Sequence, residues 1–361
     1  MKEYNKIGLP AMKRILFILI ATFTINGAEQ TELKALDNSP LFDTKFLLQY
    51  DEVTNHLKQQ GFQEGFFNSP DNHKINYLFL ERPTADYTVI LCAGWIPGRK
   101  EGIATFYALL PQNCNILFFD ARGHGKSDGL LLLKTWIYGK HEYKDILGAL
   151  DFVHAKINKP IIMYGVCAGA FHAAHALLHL QKQNKLEEYD VRGFIFDSGW
   201  ASLLTVSWSA PVAKANESLA RLWGALYGKK WKEVLTTLPY RISSYFLNKI
   251  LVVVHTVGFF APFAIQEKGT NLFDKIEHLP MPIFYIHSHD DEYVPIAHAE
   301  YLAKKSKNAH TWWIEEPSKH ACHCLKYKHA YQEKLHEFLA ACMKTCNPIA
   351  NPNKGFLLHR P

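Results

Sequence analysis

Gly165-Val166-Cys167-Ala168-Gly169 is the stretch of this chain best arranged for nucleophilic chemistry. The apolar run Lys159-Pro160-Ile161-Ile162-Met163 precedes it, and the helix-forming segment Ala170-Phe171-His172-Ala173-Ala174 follows. A strand must therefore turn sharply into a helix at Cys167, which forces the central residue into strained backbone and thrusts its side chain outward. Gly165 and Gly169 leave room for neighbouring backbone to close on that turn. Cys167 would also stand at the positive end of a helix dipole, which favours thiolate over thiol. A free cysteine can equally be a compact apolar residue, so its meaning depends on what else the chain supplies.

Acyl chemistry needs a base within reach of the nucleophile, an acid to orient the base, and donors for the developing oxyanion. The segment Ile286-His287-Ser288-His289-Asp290-Asp291-Glu292-Tyr293-Val294-Pro295 begins where an apolar strand ends and offers Asp290, Asp291 and Glu292 as acids. Asp197, in Phe196-Asp197-Ser198-Gly199-Trp200, is an alternative acid at the end of the preceding strand. The base should follow the last strand, where Glu315-Glu316-Pro317-Ser318-Lys319-His320-Ala321-Cys322-His323 places His320 first and His323 second. With nineteen histidines in the chain, it is this position that singles out His320. The backbone N–H of Ala168 is one expected oxyanion donor. The other belongs to the loop Cys92-Ala93-Gly94-Trp95-Ile96-Pro97-Gly98, with Trp95 expected and Ile96 as the fallback.

The elements that must position these residues alternate. A helix over 43–60 is followed by a hairpin of Phe62–Phe67 and Ile75–Glu81 around Asn68-Ser69-Pro70-Asp71-Asn72. Strands are then expected at Tyr87–Ala93, Asn115–Phe119, Pro160–Tyr164, Gly193–Phe196, Pro282–His287 and His310–Glu315. Helices are expected between and after them at Glu101–Leu110, Glu142–Ala155, Ala168–Gln181, Ile296–Lys305 and Tyr327–Cys342. Short apolar strands separated by helices imply an α/β fold with a mostly parallel sheet covered on both faces, and an active site at the carboxyl ends of its strands. The alternation breaks at Gly199 for roughly eighty residues, too long for a plain loop. These read as a helical cap, in which the apolar run Ile250–Phe263 should line a pocket or pack on the core. Lys249, His255 and Pro262 argue against its spanning a membrane.

Phe119-Asp120-Ala121-Arg122-Gly123-His124-Gly125-Lys126-Ser127-Asp128-Gly129 resembles the D-x-R-G-H-G-x-S-x-G signature of one branch of the α/β-hydrolase superfamily, that of monoacylglycerol lipases and the serine aminopeptidase (S33-like) domain. Tyr138-Gly139-Lys140-His141-Glu142 is similar to the stretch that leads that branch's next helix, and the acid segment resembles its H-G-x-x-D-x-x-V-P pattern. The resemblance runs from about residue 75 to 340 and pauses over the cap. It implies the order nucleophile, acid, histidine. It puts the triad on Cys167, Asp291 and His320, with no metal or cofactor, and gives Asp120, Arg122 and His124 a structural role. Three departures stand out. Ala93-Gly94 replaces the usual His-Gly, Ser288 replaces glycine, and Cys167 replaces serine. Cysteine elbows occur in dienelactone hydrolases and bile-acid-CoA:amino-acid acyltransferases, so the last departure is compatible with catalysis.

Composition bounds the rest. The chain has 361 residues, 48% hydrophobic and 20% charged, as an ordered globular protein does. A formal charge of +6, with no Lys/Arg cluster interleaved with aromatics, disfavours nucleic acid. Lys13-Arg14, the apolar Ile15–Ile25 and Gly27-Ala28 read as a signal peptide over 1–28, with Met12 as an alternative start and an uncleaved anchor as the competing reading. The expected organisation is then a helical segment at 29–60, core at 61–198, cap at 199–280, core at 281–345 and a tail at 346–361. Export permits disulfides, and one joining Cys322 or Cys324 to Cys342 or Cys346 is expected over a zinc site. The functional expectation is an exported ester or thioester hydrolase acting on a small, possibly lipid-like acyl substrate, with membrane contact left open. Acyl transfer through an acyl-cysteine and a catalytically silent binding protein are the alternatives.

Overall fold

The computed structural model describes residues 39–94, 98–129, 140–203, 237–254 and 271–344, with shorter stretches between 206 and 235. The signal peptide and the tail lie outside the described residues. Eight strands among the described residues form one sheet in the order β1-β2-β4-β3-β5-β6-β7-β8. β1 (Gln63–Asn68) and β2 (Lys74–Leu80) make the expected hairpin, paired antiparallel from Gln63↔Phe79 to Asn68↔Lys74, and β2 runs antiparallel to β4. The remaining strands, β3 (Tyr87–Cys92), β4 (Cys114–Phe119), β5 (Ile161–Val166), β6 (Val191–Asp197), β7 (Ile283–Ser288) and β8 (Ala309–Ile314), are parallel.

Strands β3, β4, β5 and β7 are buried along their whole length. Their continuous apolar sequences leave neither face fit for water, so helices must cover both. Ile90, Met163 and Phe194 face one apolar cluster with Phe171 and Leu177. Val89, Ile162 and Ile195 face the other with Leu335 and Phe338.

The helices follow the expected alternation, with two differences. The helix expected over 43–60 is two, α1 (Thr44–Leu47) and α2 (Tyr50–Gln59), because Gln49 (φ −92°, ψ 73°) leaves helical space. The break lets Phe46 and Leu47 pack against the same cluster that takes Val53 and Leu57. The helix expected over Glu101–Leu110 begins as a 3-10 turn, Lys100–Ile103, and continues as α3 (Ala104–Ala108). There the buried Lys100 ammonium is held by Glu101 at 3.0 Å and Asp120 at 3.1 Å. The other helices are α4 (Tyr143–Lys156), α5 (Ala168–Lys182), α6 (Leu238–Val254), α7 (Ala297–Lys305), α8 (His323–Lys326) and α9 (Lys328–Lys344).

α6 lies between β6 and β7, where the cap was expected. The run Ile250–Phe263 falls mostly outside the described residues. The one side chain of it that is described, Ile250, is exposed.

The cysteine expectation also needs correction. Among the described residues no disulfide joins Cys322 or Cys324 to Cys342, and no His/Cys/Asp/Glu cluster among them could hold a metal. Cys324 sits beside the carboxyl ends of the strands, and Cys342 packs on Gly193 at the start of β6. α9 runs between them, rising about 1.5 Å per residue, and holds the two sulfurs at opposite ends of the sheet. Cys346 lies outside the described residues.

Candidate active site

β5 ends at Val166, and α5 begins at Ala168. Cys167 makes the turn between them alone, at φ 56° and ψ −118°. Positive φ is unusual for a residue with a Cβ, and here the neighbours enforce it. A Cβ on Gly165 would overlap the backbone of Ala170, and one on Gly169 would overlap the carbonyl of Cys92. The Cys167 N–H donates to the Asp197 carbonyl at 2.8 Å, tying the turn to β6. Its C=O accepts from Ala170 and Phe171 and opens α5. The side chain stands at the helix N-terminus, half-buried.

The loops after β7 and β8 bring two more groups to this point. His320 Nδ1 lies 2.6 Å from Asp291 Oδ2, and Cys167 acts electrostatically on the same imidazole. Since Nδ1 is on the carboxylate, Nε2 is the nitrogen left for the sulfur. Cys167, His320 and Asp291 thus form one line from the elbow, through the last loop, to the acid loop.

Asp291 is fixed on every side. Its Oδ1 accepts from the backbone N–H of Tyr293 at 3.0 Å and of Val294 at 2.9 Å. Burial alone would raise its carboxyl, but hydrogen bonds from His287 and His320 outweigh that and hold it well below the usual carboxylate range. For His320, burial opposes the charged form. Cys167 and Asp291 override it, so the imidazole holds a proton well above the usual histidine range.

The other sequence candidates have different places. Asp290 Oδ1 accepts from the Ser288 hydroxyl at 2.6 Å and the Ser318 N–H at 2.7 Å, stapling the acid loop to the histidine loop. Glu292 is exposed. Asp197 and His323, the alternative acid and base, pair with each other: His323 Nε2 is 2.8 Å from Asp197 Oδ1, and both are fully buried. Ser198 donates to the same oxygen at 2.7 Å, while Tyr331 donates to Oδ2 and contacts the Tyr164 hydroxyl. Burial would raise Asp197, and His323, Tyr331 and Ser198 together bring it below its usual range.

On the oxyanion side, Ala168 is the first residue of α5, where the N–H has no partner within the helix. Trp95 and Ile96 lie outside the described residues. Gly94, just before them, passes so close over the elbow that a Cβ there would stand 3.2 Å from that of Cys167.

His287 was not singled out from the sequence. It is fully buried, with Nε2 2.8 Å from the Val294 carbonyl and 3.3 Å from Asp291 Oδ2, so it clamps the acid loop shut. Its place in the H-x-x-x-D spacing was the available signal.

The D-x-R-G-H-G loop is a brace. Arg122 bonds Asp145 at 2.8 Å and Asp71 at 2.9 and 3.0 Å, while Asp120 binds the N–H groups of Lys100 and Lys126.

A mostly parallel eight-stranded sheet, a strained nucleophile turn after β5 and an acid and a histidine on the loops after β7 and β8 define an α/β-hydrolase. The chain belongs to the serine aminopeptidase, S33 family, whose model matches residues 84–324. It is 27% identical over 253 residues to the Bacillus subtilis (strain 168) protein YqkD, covering 70% of each chain. Its fold is similar to that of an esterase from Pyrococcus furiosus, with a TM-score of 0.55, 18% identity and coverage of 78% of this chain and 91% of that one. It is also similar to that of a proline iminopeptidase from Mycobacterium smegmatis, with a TM-score of 0.53, 13% identity and coverage of 78% and 99%.

Proposed function

We propose that this α/β-hydrolase cleaves ester or thioester bonds with Cys167 as nucleophile, His320 as general base and acid, and Asp291 as the group that orients His320. The observation that carries this reading is the imidazole of His320, held on Nδ1 by Asp291 at 2.6 Å and coupled electrostatically to Cys167 at the elbow. In the first half-reaction the sulfur of Cys167 attacks the acyl carbon while its proton rests on His320 Nε2. The oxyanion is met by the Ala168 N–H and, on this reading, by the N–H of Trp95. As the tetrahedral adduct collapses, the leaving alcohol or thiol takes the proton from His320, and the acyl group stays on sulfur as a thioester. Water, deprotonated by His320, then attacks that thioester and releases the acid and the Cys167 thiol.

An amine or alcohol in place of that water would make the enzyme an acyltransferase, since a thioester is well disposed to pass its acyl group on. The substrate is a small acyl compound. The apolar Ile15–Ile25 run after Lys13-Arg14 supports export of the chain to a periplasmic or extracellular site.

The test is a panel of p-nitrophenyl esters and acyl thioesters, with and without added amines and alcohols, run on wild type, Cys167→Ala and Cys167→Ser. Turnover and acyl-enzyme mass should vanish in Cys167→Ala. Cys167→Ser should keep ester hydrolysis, because the surroundings are those of a serine elbow. Turnover unaffected by Cys167→Ala would refute the assignment. Absence of turnover and of any covalent adduct across the panel would favour a silent binding protein.

A further inference from the structure

Helix α6 is inside out. At about 3.6 residues per turn, Tyr240, Ser244 and Asn248 share one face of it. On that face all three meet Asn216, with Tyr240 buried and Ser244 and Asn248 half-buried. The Ser244 hydroxyl donates to Asn216 Oδ1 at 2.5 Å, Asn216 Nδ2 donates to Asn248 Oδ1 at 2.9 Å, and the Tyr240 hydroxyl donates to the Asn216 carbonyl at 3.4 Å. The opposite face carries Leu238, Ile242, Tyr245, Phe246 and Ile250, exposed by between 48% and 68%. A helix on a water-facing surface turns its polar stripe outward. α6 does the reverse, which suits an apolar neighbour outside the fold.

We propose that this face of α6 docks on an anionic lipid surface. Charge selects the partner. Among the described residues between 199 and 254, Arg221, Arg241 and Lys249 stand against the single acid Glu233. α6 itself has no acid, and its two charges are Arg241 and Lys249. Lys249 Nζ lies 5.5 Å from the centre of the Tyr245 ring, with its stem along the apolar face and its ammonium free to reach a headgroup. A second copy of the chain would bring two such basic surfaces together, whereas anionic headgroups neutralise one. No helix among the described residues is long and apolar enough to cross a membrane. α6 therefore lies in the interface plane, with Tyr245 and Phe246 at headgroup depth. This docking does not depend on which residue is the nucleophile.

Flotation of the full chain with phosphatidylcholine vesicles, with and without phosphatidylglycerol, tests this. The variants are Phe246→Ser/Ile250→Ser and Arg241→Gln/Lys249→Gln, at exposed positions that support no core, with near-UV circular dichroism confirming the fold. Wild type should float with the anionic vesicles and lose binding as salt rises. The apolar pair should lower partitioning by about tenfold or more, and the charge pair by about tenfold, on anionic vesicles only. Failure of wild type to bind would overturn the proposal. Equal binding of wild type and Phe246→Ser/Ile250→Ser would do so too, by assigning the contact to another segment such as residues 15–25. So would self-association in sedimentation velocity that the apolar pair abolishes, since a second copy would then cover the face.

Discussion

Asp197 and His323 stand 2.8 Å apart, fully buried, as a second acid–imidazole pair behind the one that reaches Cys167. Through its carbonyl Asp197 holds the Cys167 N–H, and through its carboxylate it holds the segment that follows His320. Cys167 and His320, the proposed nucleophile and base, are thus anchored to one residue. His323 is not placed to serve as the base, since its Nε2 is held on the Asp197 carboxylate.

The two histidines should therefore fail in opposite ways. His320→Ala should abolish turnover and lower the unfolding midpoint less than His323→Ala does, since Asp291 keeps the N–H groups of Tyr293 and Val294 and the His287 imidazole. His323→Ala removes a hydrogen-bond partner from a buried carboxylate and should cost about 1–3 kcal/mol of stability. Denaturant titration beside kinetics at low temperature separates the two. A destabilised His320→Ala with a silent His323→Ala would reverse the roles.

Among the described thiols, burial raises those of Cys92 and Cys324 strongly, those of Cys114 and Cys342 to about 12, and that of Cys322 less. A short iodoacetamide pulse near neutral pH should label Cys167 ahead of all of these. His320→Ala should slow that labelling by about tenfold. Peptide mapping by mass spectrometry gives both results, and labelling indifferent to His320 would break the proposed pair.

The triad should also leave a signature in stability against pH. Asp291 has its carboxyl depressed, so its contribution is full above the usual carboxylate range and is lost as pH falls through its lowered folded value. His320 is raised above its ordinary 6.5, so its contribution is full below that value and is lost as pH rises through the folded value. Asp291→Asn should therefore narrow the gap to wild type only at strongly acid pH. His320→Ala should narrow it only on the alkaline side. Unfolding midpoints across the pH range check both signs.

Tyr331 bonds Asp197 and Tyr164 from α9. Tyr331→Phe removes one donor from a buried carboxylate and the partner of a buried hydroxyl, at a cost of about 1–3 kcal/mol. Cys167 alkylation should be nearly unchanged, since the His320–Asp291 pair is untouched. A large loss of labelling with no loss of stability would contradict the brace.

Much of the fold was legible because its causes are local. Continuous apolar strands mark a doubly covered sheet, and the glycines at 165 and 169 are required by backbone that must pass within contact distance of the elbow. The same locality fixes Cys167 at a strained turn and sets the acid and histidine loops after β7 and β8. Tertiary structure decided which acid meets which histidine. Asp197 and His323 are 126 residues apart in sequence, and three residues separate two histidines that a helical turn and the positive φ of Ala321 send in different directions. It also kept Cys342 from Cys322 and Cys324 and turned α6 polar side inward. Pairing depends on how distant backbones approach, and residue type or spacing alone carries no trace of that approach.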